Sequence, residues 1–261
     1  MNPLLSTLVY ANFVEAMREF GRWQQSSQLL EREGLLFVAG STTFPVFMNY
    51  TIRLDANIPA PEVIDKTKAF FQALGRNFTI LTYGQLDLDL EAAAQSAGME
   101  QVFDSPEMVL ETLVEPPMLP AGVEIRLVTE EQEILDVRRI NSEAYESIGI
   151  PKEQTEAYFG VPQRLLSPKL ITYIAYLNGQ PASTAMAIMT EQVAGIYWVG
   201  TTKAARGRGL AEACVRLVGN AGFARGAKIA ALQASPMGEP IYQRIGYRTI
   251  DRVKCYQASF N

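Results

Sequence analysis

The chain has 261 residues, of which 48% are hydrophobic and 20% charged, with a net charge of -5 and no histidine. This length and composition predict a globular protein with room for two domains of ordinary size. The acidic balance gives no general attraction to nucleic acid. The lack of histidine excludes Ser-His and Cys-His catalysis and histidine-ligated metals. No apolar run approaches the ~20 residues of a membrane-spanning helix, so we predict no nucleic acid, no membrane and no metal among its partners.

The N-terminal segment Met1–Leu5 lacks the basic stretch, apolar core and cleavage site of a signal peptide. Two cysteines, Cys214 and Cys255, allow one bridge at most and lie on a predicted helix face and in a predicted strand. We therefore interpret both as reduced core thiols and predict a cytoplasmic protein.

The first half of the chain mixes helical and strand patterns. Apolar residues at a helical period, with Gly98 as a terminator, indicate helices, and short apolar runs indicate strands. The predicted helices span residues 12–32 (as one or two helices), 61–75 and 87–97, and the predicted strands span residues 34–40, 48–54 and 78–83.

A proline-rich joint at Glu115–Gly122 cannot continue a helix or a central strand. We place a domain boundary there, with one domain at residues 1–120 and the other at 121–261. In the second half the predicted strands are 124–128, 170–177, 182–190, 193–201, 228–234 and 251–259, and the predicted helices are 130–145, 152–166 with a turn at Pro162, 210–223 and 238–245. The order β-α-α-β-β-β-α-β-α-β predicts an α+β fold with a mixed sheet.

The two halves resemble each other at a constant offset of 148 positions. Gly98-Met99 falls on Gly246-Tyr247, and Met108 falls on Tyr256. In both halves a helix, a short strand, a helix and a final strand follow in that order. This pattern predicts a tandem repeat of one fold, and the alternative is two unrelated α/β domains.

Residues 197–211, YWVGTTKAARGRGLA, carry the strongest chemical signal. A strand enters a glycine-containing turn that opens a helix, so backbone N–H groups and the positive end of the helix dipole converge there. Gly207 and Gly209 let the backbone approach an anion, and Arg206 and Arg208 add charge. The segment therefore predicts a pyrophosphate site. The alternatives are a solvated basic turn and a nucleic-acid contact, which would need interleaved aromatic residues.

On these residues the second half resembles the GNAT superfamily of acyl-CoA-dependent N-acetyltransferases. The CoA signature of that family is Gln or Arg, two residues, Gly, one residue, then Gly or Ala, and Arg206, Gly209 and Ala211 match it. A second block at residues 232–247 has a strand, a small polar residue and a helix with Tyr242 four residues before a Gly-aromatic pair. The resemblance covers about residues 124–258 and implies the GNAT fold there, preceded by a degenerate GNAT-like repeat.

The resemblance implies that acetyl-CoA is the co-substrate and that a primary amine, on a small molecule or a protein terminus, attacks the thioester directly. The two parallel strands at residues 193–201 and 228–234 are expected to separate and to hold the pantetheine arm. A backbone N–H near Val199 or Gly200 would stabilise the oxyanion, and Tyr242 would protonate the leaving thiolate unless it is a core aromatic. The implied cofactor-binding residues are Val199, Gly200, Thr201, Arg206, Gly207, Arg208, Gly209, Leu210, Ala211 and Ser235, the last of which alternatively caps a helix.

The sequence leaves the general base open. Candidates are Glu143, Glu146, Glu191 or a water chain, and each glutamate is equally compatible with a solvated surface charge. Cys214 lies on an apolar helix face, which disfavours an acyl-cysteine intermediate. Three aromatic residues fall in the segment that lines the acceptor cleft in this family, with the core as the alternative: Tyr145, Tyr158 and Phe159.

At the same offset the first half has Ile58–Pro61 in place of Arg206–Gly209, and Ala94 in place of Tyr242. Prolines lack the N–H donors that bind phosphate. We therefore expect one acyl-CoA per chain, with the first half covering a sheet edge and walling the acceptor cleft. Tandem halves are compatible with a monomer, and the oligomeric state is left open. The alternative function is a non-catalytic acyl-CoA-binding or regulatory module.

Overall fold

The structure is a computed structural model that describes residues 3–258, so the predicted end of the last strand at Ser259 lies outside the described residues. The strands are β1 (Gln28–Arg32), β2 (Leu35–Ala39), β3 (Asn49–Arg53), β4 (Phe78–Tyr83), β5 (Glu100–Leu110), β6 (Val123–Leu127), β7 (Leu170–Leu177), β8 (Gln180–Met189), β9 (Val193–Thr201), β10 (Ile229–Gln233) and β11 (Arg248–Ala258). The helices are α1 (Pro3–Trp23), α2 (Ala60–Ala73), α3 (Leu88–Ser96), α4 (Glu131–Glu146), α5 (Lys152–Tyr158), α6 (Leu210–Ala224) and α7 (Glu239–Ile245).

In the described residues the strands form one mixed sheet in the order β1-β2-β3-β4-β11-β5-β10-β9-β8-β7-β6. The last strand of each half lies in the other half. β5 pairs antiparallel with β10, β11 pairs antiparallel with β4, and the two exchanged strands pair with each other at the centre. Both halves contribute strands to this central part of the sheet. The domain boundary near residue 120 therefore remains a proposal about where one repeat ends and the next begins.

Helices cover both faces of the sheet. One face, which we call the α1 face, packs against α1, α4 and α5, and its core includes Phe20, Ile140 and Tyr158. The opposite face, which we call the α6 face, packs against α6 and α7 in the second half and against α2 and α3 in the first. Because the side chains of a strand alternate between the faces, each strand residue can be assigned to one of them.

The element order predicted for the second half is confirmed, although the last strand begins at Arg248 rather than at residue 251. The helix predicted over residues 12–32 is wrong at its end, because Gln28–Arg32 form β1. Glu33 and Gly34 both adopt positive φ and turn the chain into β2. The backbone groups of this segment therefore bond to β2, and tertiary pairing overrides its helical periodicity.

Candidate active site

Strands β9 and β10 run parallel and separate toward their carboxyl ends. Their ladder joins Val193–Gly195 to Ile229–Ala231 and then stops, whereas β9 continues for six residues to Thr201. Within residues 3–258 no strand pairs with this edge of β9 beyond Gly195. The backbone groups on that edge are therefore open to an extended ligand.

A β-bulge lies in β9 beside this opening. The register with β8 passes from Met186–Tyr197 to Thr184–Gly200, so β9 has one extra residue there. Trp198 at the bulge has φ 53°, which is uncommon for a bulky residue. A bulge re-aims the local backbone and side chains, and this one lies where the sequence predicts the oxyanion-binding N–H.

The loop between β9 and α6 presents backbone N–H groups at its tip. Gly207 and Gly209 have φ of 75° and 73°, and Gly209 is the N-cap of α6 without a side-chain cap. The first helical bond runs from Ala213 N–H to the Gly209 carbonyl at 3.0 Å. The backbone N–H groups of the residues just before Ala213 have no acceptor inside the helix, as at any helix N-terminus. This geometry suits an anion.

The loop is tied to the C-terminal end of α4. The Lys203 N–H donates to Glu143 Oε1 at 2.6 Å, and Arg206 Nη2 donates to Ser147 Oγ at 2.6 Å. Leu210 is buried beneath the loop and packs with Ala182 and Ala205. Glu143, a candidate base by sequence, therefore anchors the loop. The remaining loop residues, Gly207, Arg208 and Gly209, are exposed.

Tyr242 lies on α7, which follows the carboxyl end of β10. Its ring packs edge-on against Tyr247 at a centroid distance of 6.0 Å and lies close to Gly238. Burial raises the pKa of Tyr242 to about 12. Before α7, Ser235 Oγ accepts the Gly238 N–H at 3.1 Å, as the capping alternative for this serine predicts.

Aromatic side chains lie beside the opening on the α1 face. Tyr145 and Tyr158 lie against Trp198 at centroid distances of 5.3 and 5.0 Å. Burial, and then the nearby Tyr242, raises the pKa of Tyr145. Tyr145 and Tyr242 come from helices on opposite faces, so their interaction crosses the opening between β9 and β10.

The other two aromatic candidates for the acceptor cleft lie deeper. The Tyr158 hydroxyl donates to the Phe47 carbonyl, and Phe159 is fully buried in the α1-face core. Of the three candidates, Tyr145 lies within electrostatic range of Tyr242, and Tyr158 and Phe159 pack into the core.

The remaining glutamates that the sequence proposes as bases lie elsewhere. Glu146 pairs with Lys152 at 3.3 Å, and Glu191 precedes β9 at the end opposite the opening. An extended strand rises ~3.3 Å per residue, so Glu191 lies roughly 26 Å from Val199. Glu191 is therefore remote from the opening, and Glu146 is engaged by Lys152.

Sequence reasoning missed Glu107, which is fully buried on β5 and accepts a hydrogen bond from Gln233 Nε2 at 2.7 Å. Burial raises the pKa of Glu107 to about 8, and the hydrogen bond from Gln233, which lowers the pKa, offsets only part of this rise. In the sequence, the available signal was an acidic residue directly before the apolar run Met108–Leu110.

Cys214 does not have the properties of a nucleophile. It is a free, fully buried thiol, and burial raises its pKa to about 12. A thiol must ionise to attack a thioester, so the buried Cys214 is unsuited to an acyl-cysteine step. Among the residues described, no cluster of Cys, Asp and Glu side chains is arranged to hold a metal, and no helix has the length and apolar character needed to cross a membrane.

In the first half, the corresponding opening between β3 and β4 is filled by Arg53. This side chain, 1% exposed, lies one residue past the last pair of the β3–β4 ladder. It donates from Nε to Asp87 Oδ1 at 2.9 Å and from two nitrogens to Asp89 at 2.6 and 2.9 Å. An ion-paired guanidinium therefore occupies the position equivalent to the cleft of the second half.

Comparison with known proteins agrees with this fold. Residues 134–247 match the family model of the Acetyltransferase (GNAT) family. A GCN5-related N-acetyltransferase from Kribbella flavida aligns over 100% of this chain and 98% of its own, with a TM-score of 0.76 and 18% identity. A GCN5-related N-acetyltransferase from Sphaerobacter thermophilus aligns over 89% of this chain and 75% of its own, with a TM-score of 0.61 and 16% identity. No curated protein matches the chain.

The full-length alignment extends the acetyltransferase fold over both halves of the chain. The second half is a GNAT domain by its family match, and the first half is GNAT-like in fold.

Proposed function

We propose that the chain is an N-acetyltransferase that moves an acetyl group from acetyl-CoA to a primary amine by direct attack. The observation that carries the proposal is the opening between β9 and β10, which begins after Gly195 and ends beside the N-terminus of α6. An extended pantetheine arm and a pyrophosphate need these two features side by side. The acceptor is an amine on a small molecule or a protein terminus.

In this mechanism the backbone of Val199, Gly200 and Thr201 pairs with the pantetheine arm. A backbone N–H at the Trp198 bulge, from Val199 or Gly200, stabilises the oxyanion that forms on attack. Tyr242 then donates its proton to the leaving thiolate. Burial raises the pKa of Tyr242 to about 12, so its hydroxyl is protonated at neutral pH and is a weaker acid than a free phenol. The pyrophosphate is held by the loop and by the first turn of α6: Arg206, Gly207, Arg208, Gly209, Leu210 and Ala211. Ser235 is the last of the proposed CoA-binding residues.

The proposal includes three further points. Residues 1–120 are a degenerate GNAT-like repeat without a CoA site, and residues 121–261 carry the reaction. The protein acts in the cytoplasm, in keeping with its two buried, unbridged thiols, Cys214 and Cys255.

A thiol-release screen tests the proposal directly. Purified protein is given acetyl-CoA and a panel of primary amines, and free CoA thiol is measured over time. Amine-dependent thiol release with formation of the acetamide is the expected result. Binding of CoA without thiol release for any amine would favour the alternative, a non-catalytic acyl-CoA-binding module.

A further inference from the structure

A buried carboxyl from the first half lies beside the proposed site of the second. Glu107 is on β5, the strand that the first half inserts next to β10. In the ladder it lies opposite Gln233, two residues past Ala231, where β10 stops pairing with β9. By strand alternation Glu107 is on the α1 face with Val109. The carboxyl therefore lies at the level where the opening begins.

The two oxygens of this carboxyl differ in their partners. Oε2 accepts the hydrogen bond from Gln233, whereas Oε1 is buried and has no hydrogen-bond partner within residues 3–258. A buried polar atom without a partner costs free energy, and an apolar side chain would avoid that cost. An unsatisfied carboxyl next to a ligand cleft is therefore a candidate for a functional group.

Three other titratable groups lie within electrostatic reach of Glu107. Asp251 on β11 raises the pKa of Glu107, as burial does. The charge of Glu107 in turn adds to burial in raising the pKa of Tyr83 on β4 and of Tyr197 on β9. Among the described residues, Glu107 interacts electrostatically with one carboxylate and two weak acids, and no cation there holds it ionised. A protonated amine would supply that missing charge.

We propose that Glu107 takes the proton from the incoming ammonium group, so that the first half supplies the general base of the second half through the exchanged strand. This inference rests on the proposed function. α6 and α7, with the anion loop and Tyr242, lie on the α6 face, so an amine meeting the thioester from the other side passes along the α1 face. Glu107 is on that face, and the candidates Glu143 and Glu146 are held by Lys203 and Lys152.

The proton and bond balance of the step is complete. The ionised Glu107 carboxylate accepts one proton from R–NH₃⁺ and becomes a carboxylic acid. The free amine forms the C–N bond to the thioester carbon, the C–S bond breaks, and the thiolate takes a proton from Tyr242. The second proton lost by the amide nitrogen restores Tyr242 through solvent, and Glu107 releases its own proton to solvent before the next turnover.

The test compares Glu107→Gln with the wild-type full chain and with Glu91→Gln, a matched change at another buried glutamate. Glu91 lies on α3 and is bonded to Thr82 and Lys254, away from the opening. We measure CoA affinity by calorimetry and kcat/KM against pH for two acceptors found by the screen. One is an alkylamine that is protonated at pH 7, and the other is an amine of low basicity that is neutral at pH 7.

We expect Glu107→Gln to bind CoA as the wild type does and to lose ~10²-fold or more in kcat/KM with the alkylamine. The loss should be much smaller with the neutral amine, because that acceptor has no proton to remove before attack. The wild-type kcat/KM should rise with pH as Glu107 ionises, and this rise should be absent in Glu107→Gln. If the role of Glu107 were purely structural, the substitution would lower kcat/KM equally for both acceptors.

Each other outcome counts against the inference in a distinguishable way. If the wild type acetylates amines while Glu107→Gln keeps its rate and pH profile, Glu107 is not the base and the proposed function stands. If Glu91→Gln loses the same activity, the effect is one of stability and the assignment fails. If the wild type releases no thiol with any amine, the proposed function and the inference fail together.

Discussion

Arg53 and Asp87 form a buried ion pair at 2.8 Å across the first half's own opening between β3 and β4. Asp87 also accepts the Tyr83 N–H at 2.9 Å, and Asp89 neutralises the rest of the guanidinium. β3 ends at Arg53, one residue past its last pair with β4, whereas β9 extends six residues past its last pair with β10. The first half thus has no free strand edge comparable to that of β9, and the Arg53 ion pair lies at the position of the opening in the second half.

We therefore predict that each chain binds one acyl-CoA. Isothermal titration calorimetry with CoA should give a stoichiometry close to one per chain, with a single affinity. Arg53→Met should keep that stoichiometry and affinity, although it destabilises the fold by about 3 kcal/mol or more because Asp87 is left as a buried unpaired charge. Two equivalent sites per chain would contradict the degenerate-repeat interpretation.

Gly209→Val should abolish CoA binding. The position has φ 73°, so a β-branched side chain strains the loop, and its Cβ enters the space that the anion needs. The matched control is Gly75→Val, because Gly75 also has positive φ and nothing within 4 Å of an added Cβ, but lies in the first half.

Both variants should lose similar stability in thermal unfolding, and only Gly209→Val should lose CoA affinity in calorimetry. Unchanged affinity in a folded Gly209→Val protein would remove this loop from the mechanism.

Tyr242→Phe should lower kcat at least tenfold with CoA affinity nearly unchanged. The substitution keeps the buried ring and deletes only the hydroxyl, and general acid catalysis contributes about 10²- to 10⁴-fold. Steady-state and single-turnover kinetics on an acceptor from the screen measure the effect.

Tyr247→Phe is the control for this change, because it deletes a buried hydroxyl with no hydrogen-bond partner in the described structure, on a ring 6.0 Å away. It should keep the wild-type kcat. A Tyr242→Phe enzyme that turns over at the wild-type rate, with chemistry rate-limiting, would make the phenol structural.

Glu107→Gln should stabilise the protein more at high pH than at low pH. The folded-state pKa of Glu107, about 8, lies above its ordinary value of 4.5. The folded chain therefore holds this proton more tightly than the unfolded chain, and stability falls as pH rises between these two values. A neutral amide removes this penalty, so the gain in Tm over wild type should be at least ~5 °C larger at pH 9 than at pH 4.5.

Thermal unfolding across this pH range checks the prediction, with Glu91→Gln as the reference. That variant breaks the 2.6 Å ion pair with Lys254 and should not gain stability at either pH. A gain for Glu107→Gln that is independent of pH would mean that the carboxyl is not a buried, proton-binding group in solution.

The sequence by itself determined the parts of this protein that depend on short-range patterns. The pattern of apolar residues gave the element order of the second half, and Gly207, Gly209 and the Tyr242 block predicted a GNAT-type site, because turn conformation and helix starts depend on neighbouring residues. Proline at positions 59 and 61 predicted that the first half lacks an equivalent loop.

The tertiary structure alone decided what depends on pairing across long chain separations. Hydrophobic periodicity identifies a strand but not its neighbour, so the exchange of β5 and β11 left no local signal. Leu29 and Leu30 fit a helical pattern until pairing with β2 satisfied their backbone in a strand. Glu107 lies 126 positions from Gln233, and only the exchanged strand brings this carboxyl to the opening, where burial raises its pKa.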